Sequence, residues 1–101
     1  MTENKTLLVI NAIVNKENKE AVQAYLGQIT QVFVKNGGKP VAKYKTLEQL
    51  DGENSPEMIA IIAFSDSEAI KKMLKSDDFT SLADLRAKAF TKLNLMICDE
   101  M

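Results

Sequence analysis

Met58-Ile59-Ala60-Ile61-Ile62-Ala63-Phe64, followed at once by Ser65-Asp66-Ser67-Glu68, is the stretch on which the fold turns. A run apolar at every position leaves no polar face at period two, and its isoleucines favour extended backbone. It predicts a strand covered on both sides. The next four residues read as a capping box, with Ser65 as N-cap and Glu68 at N3. Ala69, Ile70, Met73 and Leu74 then carry a helix at helical spacing. The pattern is therefore a central strand handing directly to a packed helix.

The first half of the chain repeats that grammar. Between Thr6 and Val14, Leu8, Ile10, Ala12 and Val14 share one face while Leu7, Val9, Asn11 and Ile13 share the other, which predicts a second central strand. Asn15 or Asn18 offers an N-cap. From Glu20 to Lys35, the residues Val22, Tyr25, Leu26, Ile29, Val32 and Phe33 form an apolar stripe, and Asn36-Gly37-Gly38 ends the helix.

Pro40 to Leu47 alternates and opens on proline, as an edge strand does. Asp51-Gly52-Glu53-Asn54-Ser55-Pro56 is turn chemistry. In the second half, Ser76-Asp77-Asp78 interrupts the helix and caps a new one bearing Phe79, Leu82, Leu85 and Ala89, and Leu93 to Cys98 is the last strand. The order strand, helix, strand, strand, broken helix, strand predicts an α+β protein. It is a ferredoxin-like βαββαβ sandwich, with a four-stranded antiparallel sheet and helices on one face, in a single domain over residues 1–101.

Composition narrows the chemistry. The 101 residues include no histidine, no tryptophan and one cysteine. Histidine is the commonest metal ligand and the one side chain that titrates unperturbed near neutrality. Its absence excludes Ser-His-Asp and Cys-His nucleophiles and every His-built metal site. No cofactor and no metal are expected. The charge, 13 basic against 14 acidic residues, carries no basic block, so nucleic acid is not an expected partner. Cys98 lies in an apolar run and reads as a small buried hydrophobe. The acidic start Met1-Thr2-Glu3-Asn4-Lys5 is unlike a secretory leader, and no run approaches a membrane span. A soluble, cytoplasmic protein without membrane partners is expected.

Helices on one face leave the other face of such a sheet bare, yet the two central strands are apolar whichever way they turn. Soluble monomers seldom expose a patch of that size. The expected cover is a second copy of the sheet, making a homodimeric α+β barrel. The alternative is the segment at residues 48–57, or the C-terminal tail, folded over the sheet.

Three segments also resemble a known family. Gly37-Gly38-Lys39-Pro40 entering an edge strand, the stretch Met58 to Ala69, and Ser76-Asp77-Asp78-Phe79-Thr80-Ser81-Leu82-Ala83-Asp84-Leu85-Arg86 are similar to the domain-of-unknown-function family 1330. The resemblance spans roughly residues 6 to 99 and implies a dimeric α+β barrel. That superfamily includes cofactor-free quinol monooxygenases, muconolactone isomerases and haem-degrading enzymes. The Trp and His of the haem degraders do not exist in this chain, which excludes that chemistry.

Three polar residues are candidates for ligand contact. Asn11 sits among aliphatics mid-strand, where an unpaired amide costs about 1–3 kcal/mol and must be satisfied by backbone, water or ligand. Tyr44 is on the edge strand, placed for a pocket or a dimer seam. Arg86 is a bidentate anion binder whose other reading is a surface salt bridge to Asp84, Asp78 or Glu68. Tyr25 reads as core with its hydroxyl at the rim. The acids Glu48, Asp51, Glu53 and Glu57 read as solvated. The expected function is binding of a small, mostly apolar molecule in a cleft beside the sheet. The alternatives are a cofactor-free monooxygenase or isomerase acting on a quinol-like or lactone substrate, and an interaction dimer with no ligand site.

Overall fold

The structure is a computed structural model describing residues 6–52 and 56–99. It contains β1 (Thr6–Val14), α1 (Lys19–Lys35), β2 (Lys39–Lys45), β3 (Met58–Phe64), α2 (Ser67–Leu74), α3 (Asp77–Thr80), α4 (Ala83–Ala89) and β4 (Phe90–Asp99). The strands form one antiparallel sheet in the order β2-β3-β1-β4. The doubly apolar strands are central and the strand that opens on proline is an edge, as the hydropathy patterns require.

The core lies between one face of the sheet and the helices. Leu8, Ile10 and Ala12 of β1 and Ile62 and Phe64 of β3 are buried against Tyr25, Ile29, Val32 and Phe33 of α1, Ile70 and Met73 of α2, and Phe79, Leu82 and Ala89 beyond. Phe33 and Phe64 meet edge to face with centroids 6.4 Å apart, fixing α1 across β3. Gly38 lets β2 enter close beneath that pair, because a Cβ there would lie 2.6 Å from the Phe64 ring and 2.9 Å from the Phe33 carbonyl oxygen. Gly37, at φ +88°, supplies the left-handed turn that ends α1.

Several local expectations are resolved or corrected, the first a choice between two offered N-caps. Asn18, not Asn15, caps α1 by accepting from the Ala21 N–H at 3.2 Å, while the Asn15 amide donates to the Lys88 carbonyl oxygen. The N-cap of α2 is Asp66, whose carboxylate accepts from the Ala69 N–H at 2.8 Å, so the box read from Ser65 starts one residue early. An aspartate competes effectively for an N-cap, and this one lies one residue nearer the helix. The break at Ser76 is as expected, with its hydroxyl accepting from the Phe79 N–H. The last strand begins at Phe90 rather than Leu93, and β2 ends at Lys45 rather than Leu47. Glu57 is not simply solvated: its carboxylate accepts from the Val14 N–H at 3.1 Å and pairs with Lys16 at 3.2 Å. That ties the end of β1, where its register with β4 shifts, to the start of β3.

Residues 1–5, Glu53 to Ser55 of the turn, and residues 100–101 lie outside the described residues. Among the described residues no helix is long and apolar enough to cross a membrane, and no cluster of acidic or sulfur side chains could hold a metal ion.

Candidate functional site

The three residues singled out from the sequence do not converge. Asn11 and Tyr44 lie on the open face, in a single transverse row. Tyr44 faces Ile59, Ile59 faces Asn11, and Asn11 faces Asn94 of β4. Two strand spacings separate Tyr44 from Asn11, about 10 Å. Tyr44 reaches this face through a bulge. Pro40 is opposite Ile62 on the helix side, the register shifts before Ala42, and Ala42 and Tyr44 emerge on the other side. Asn11 is half-buried there rather than enclosed in the sheet. Cys98 shares this face and is half-buried, so its reading as a core hydrophobe is corrected.

The middle of the face is apolar, with Lys39 opposite Ala63 and Lys92 opposite Ile13 at its margins. Ala42, Ile61, Val9 and Met96 form the next row, and Ala63, Leu7 and Cys98 the row beyond. The segment after β2 closes only one end of it, where Thr46, Glu48, Gln49 and Asp51 border a groove over Asn11, Ile13 and Asn94. Leu47 and Leu50 in that segment are 90% and 88% exposed. Self-coverage by the described residues of the 48–57 segment is thus confined to a corner.

Arg86 lies on the opposite side, among the helices. Its predicted surface salt bridge is absent among the described residues: Asp78 pairs instead with Lys35 at 2.9 Å, and Glu68 with Lys71 at 4.0 Å. The guanidinium stacks over Phe79, with Cζ 4.7 Å from the ring centroid. Its Nη1 is buried without a hydrogen-bond partner. The Tyr25 hydroxyl is beside it. Burial pushes that phenol above the ordinary value of 10.0, and Arg86 opposes the shift by hydrogen bonding and by charge.

Tyr25 in turn lines a cavity of about 240 Å³ between α1 and the sheet. Ile10, Ala60, Ile62 and Leu95 form its sheet wall, and Ile29 and Phe33 its helix wall. Tyr25, Phe79 and Phe90 close one end, with Tyr25 and Phe90 packed edge to face at 5.4 Å. The polar side chains on the lining are Tyr25, Thr30 and Lys43. Lys43 also borders a second groove between α1 and β2, which places it at an edge of the cavity. Sequence reasoning placed Tyr25 in the core but missed its pairing with Arg86. The two lie on α1 and α4, and only the packing of those helices brings them together. The one signal available was a lone hydroxyl on an otherwise apolar helical stripe.

This geometry can enclose an apolar body and offer a phenol and a guanidinium at one end. It holds no arrangement for metal chelation among the described residues.

Comparison with known proteins places the architecture. No curated protein matches the chain. Among solved structures, a protein of unknown function from Rhodopseudomonas palustris superposes with a TM-score of 0.81 at 17% identity, covering 99% of this chain and 85% of that one. A candidate antibiotic biosynthesis monooxygenase from Nitrosomonas europaea gives 0.71 at 9% identity, covering 100% and 94%. A dabb family protein with a ferredoxin-like fold from Mesorhizobium loti also gives 0.71 at 9%, covering 98% and 99%. At these identities the likeness establishes the fold alone, an α+β ferredoxin-like sandwich. The sequence signature of one family covers residues 6–101, and by it the chain belongs to the domain of unknown function family DUF1330.

Proposed function

We propose that this protein is a homodimer, paired through the open faces of its sheets, that binds a small and mostly apolar molecule between α1 and the sheet. The observation that carries the binding reading is the cavity itself. At about 240 Å³ it exceeds the roughly 150 Å³ void that suffices for benzene. Aliphatic and aromatic side chains dominate its lining, with few polar groups to orient a guest, as in small-molecule sites generally. The dimer reading is supported by the opposite face, where Val9, Ile61 and Met96 stand in one apolar row.

A chemical-shift titration with a panel of small aromatic and alicyclic compounds tests the site. Saturable shifts confined to α1 and the helix side of β1 and β3 support it. Shifts absent throughout the panel leave only an interaction dimer. Light scattering at micromolar concentration tests the pairing, and a mass of 11.2 kDa would refute it.

The second reading is enzymatic, favoured by one feature: a phenol held beside a guanidinium can stabilise an oxyanion. The neighbour from Nitrosomonas europaea is described as a candidate monooxygenase. On this reading the protein is a cofactor-free oxygenase or isomerase for a quinol-like or lactone substrate. Oxygen uptake with a quinol panel, abolished by Tyr25→Phe, would establish the oxygenase.

A further inference from the structure

Arg86 Nη1 is a buried charged donor with no acceptor, and among the described residues no carboxylate pairs with the guanidinium. Such a donor is costly to leave unmade, more so than a neutral one. The Phe79 ring beneath it compensates the charge but supplies no lone pair in the guanidinium plane. Arg86 stands directly behind the aromatic end wall of the cavity, touching Phe79 and adjoining the Tyr25 hydroxyl, and both of those residues line the cavity. No carboxylate lines it, whereas Lys43 does. The charges around this apolar volume are therefore of one sign.

We propose that the ligand of the cavity is a small apolar carboxylic acid, bound as its anion, with the carboxylate against the Tyr25 hydroxyl at the aromatic end, held by the Arg86 charge directly behind that wall, and the hydrocarbon body lying between α1 and the sheet. This rests on the cavity being a ligand site and deepens that reading by fixing the ligand's charge and orientation. A carboxylate accepts from the Tyr25 hydroxyl as its neutral amide also could, but only the anion gains from the fixed positive charge behind it. The alternative anchor, Lys43 at the cavity edge, would orient the ligand in the opposite sense.

The test compares 3-phenylpropionate with its neutral isostere 3-phenylpropanamide by ¹H–¹⁵N chemical-shift titration, which reads the folding of each variant in the same spectra. The native protein is expected to bind the acid about tenfold or more tightly than the amide, the range of one charge-assisted hydrogen bond. Arg86→Met is expected to bring that ratio to about one while amide affinity holds, and Lys43→Met to leave the ratio in place. Equal binding of acid and amide by the native protein overturns the inference and leaves the cavity reading standing. So does a ratio unchanged in Arg86→Met, or one lost in Lys43→Met. Binding of neither compound overturns both. Should Arg86→Met fail to fold, the native ratio and the Lys43→Met comparison decide between the two anchors.

Discussion

At the scale of single residues, Gly38 and Gly27 make opposite demands. A Cβ on Gly38 would lie 2.9 Å from the Phe33 carbonyl oxygen, a backbone atom that cannot turn aside. Gly38→Ala should therefore destabilise the fold by about 1–3 kcal/mol, as overpacking does. Gly27 lies inside α1 and a Cβ there meets nothing within 4 Å. Gly27→Ala should stabilise by about 0.5–1 kcal/mol through helix propensity alone. Urea unfolding of the pair reads both signs. Tyr25 adds a pH dependence. Its folded-state pKa is raised above 10.0, chiefly by burial, so the native state keeps its phenol proton at a pH where the unfolded chain has released it. In that window the unfolded state binds fewer protons, and stability falls as pH rises through the folded value. Below the ordinary value the contribution is fully present. Unfolding free energies measured between about pH 9 and 11 should fall more steeply for the native protein than for Tyr25→Phe.

At the scale of elements, legibility followed period and failed where a tertiary choice intervened. Both central strands were readable because Leu7 to Ile10 and Met58 to Phe64 leave no polar parity, and α1 because its stripe is continuous. The face presented by Tyr44 was not readable, since it depends on a bulge near Val41 that no local residue signals. Nor was the Tyr25–Arg86 end of the cavity, which needs α1 and α4 in contact. The start of α2 slipped because two capping residues are adjacent there. Ser65 and Asp66 both suit an N-cap, and the structure gives the bond to Asp66. Asp66→Ala should thus cost about 1 kcal/mol, whereas Ser65→Ala, removing an exposed hydroxyl outside the helix, should fall within about 0.5 kcal/mol of native. Thermal unfolding of the two variants separates the assignments. Equal losses would restore Ser65 to a capping role.

At the scale of the whole molecule, the two faces of one sheet are given different work. The helix side packs around the cavity, so most of its apolar residues are already removed from water, Ile97 at 40% exposure excepted. The open side keeps Val9, Ile61 and Met96 in one row, and Leu47 and Leu50 project beside it. A second sheet stacked on this row would also enclose Asn11 and Asn94, which face each other across β1 and β4. Enclosed amides need partners, and two copies related by a two-fold axis can supply them to each other. Met96 is the residue on which this can be tested without disturbing the protomer, because it is 41% exposed and outside the buried core. Met96→Glu should leave far-ultraviolet circular dichroism unchanged and shift the light-scattering mass from about twice 11.2 kDa toward a single chain, since a charge in an apolar seam must stay solvated. The helix-side cavity lies on the far face of the sheet, so the dissociated variant should still bind 3-phenylpropionate with unchanged affinity. If that affinity is lost with the dimer, the partner copy shapes the cavity and the two faces are not independent.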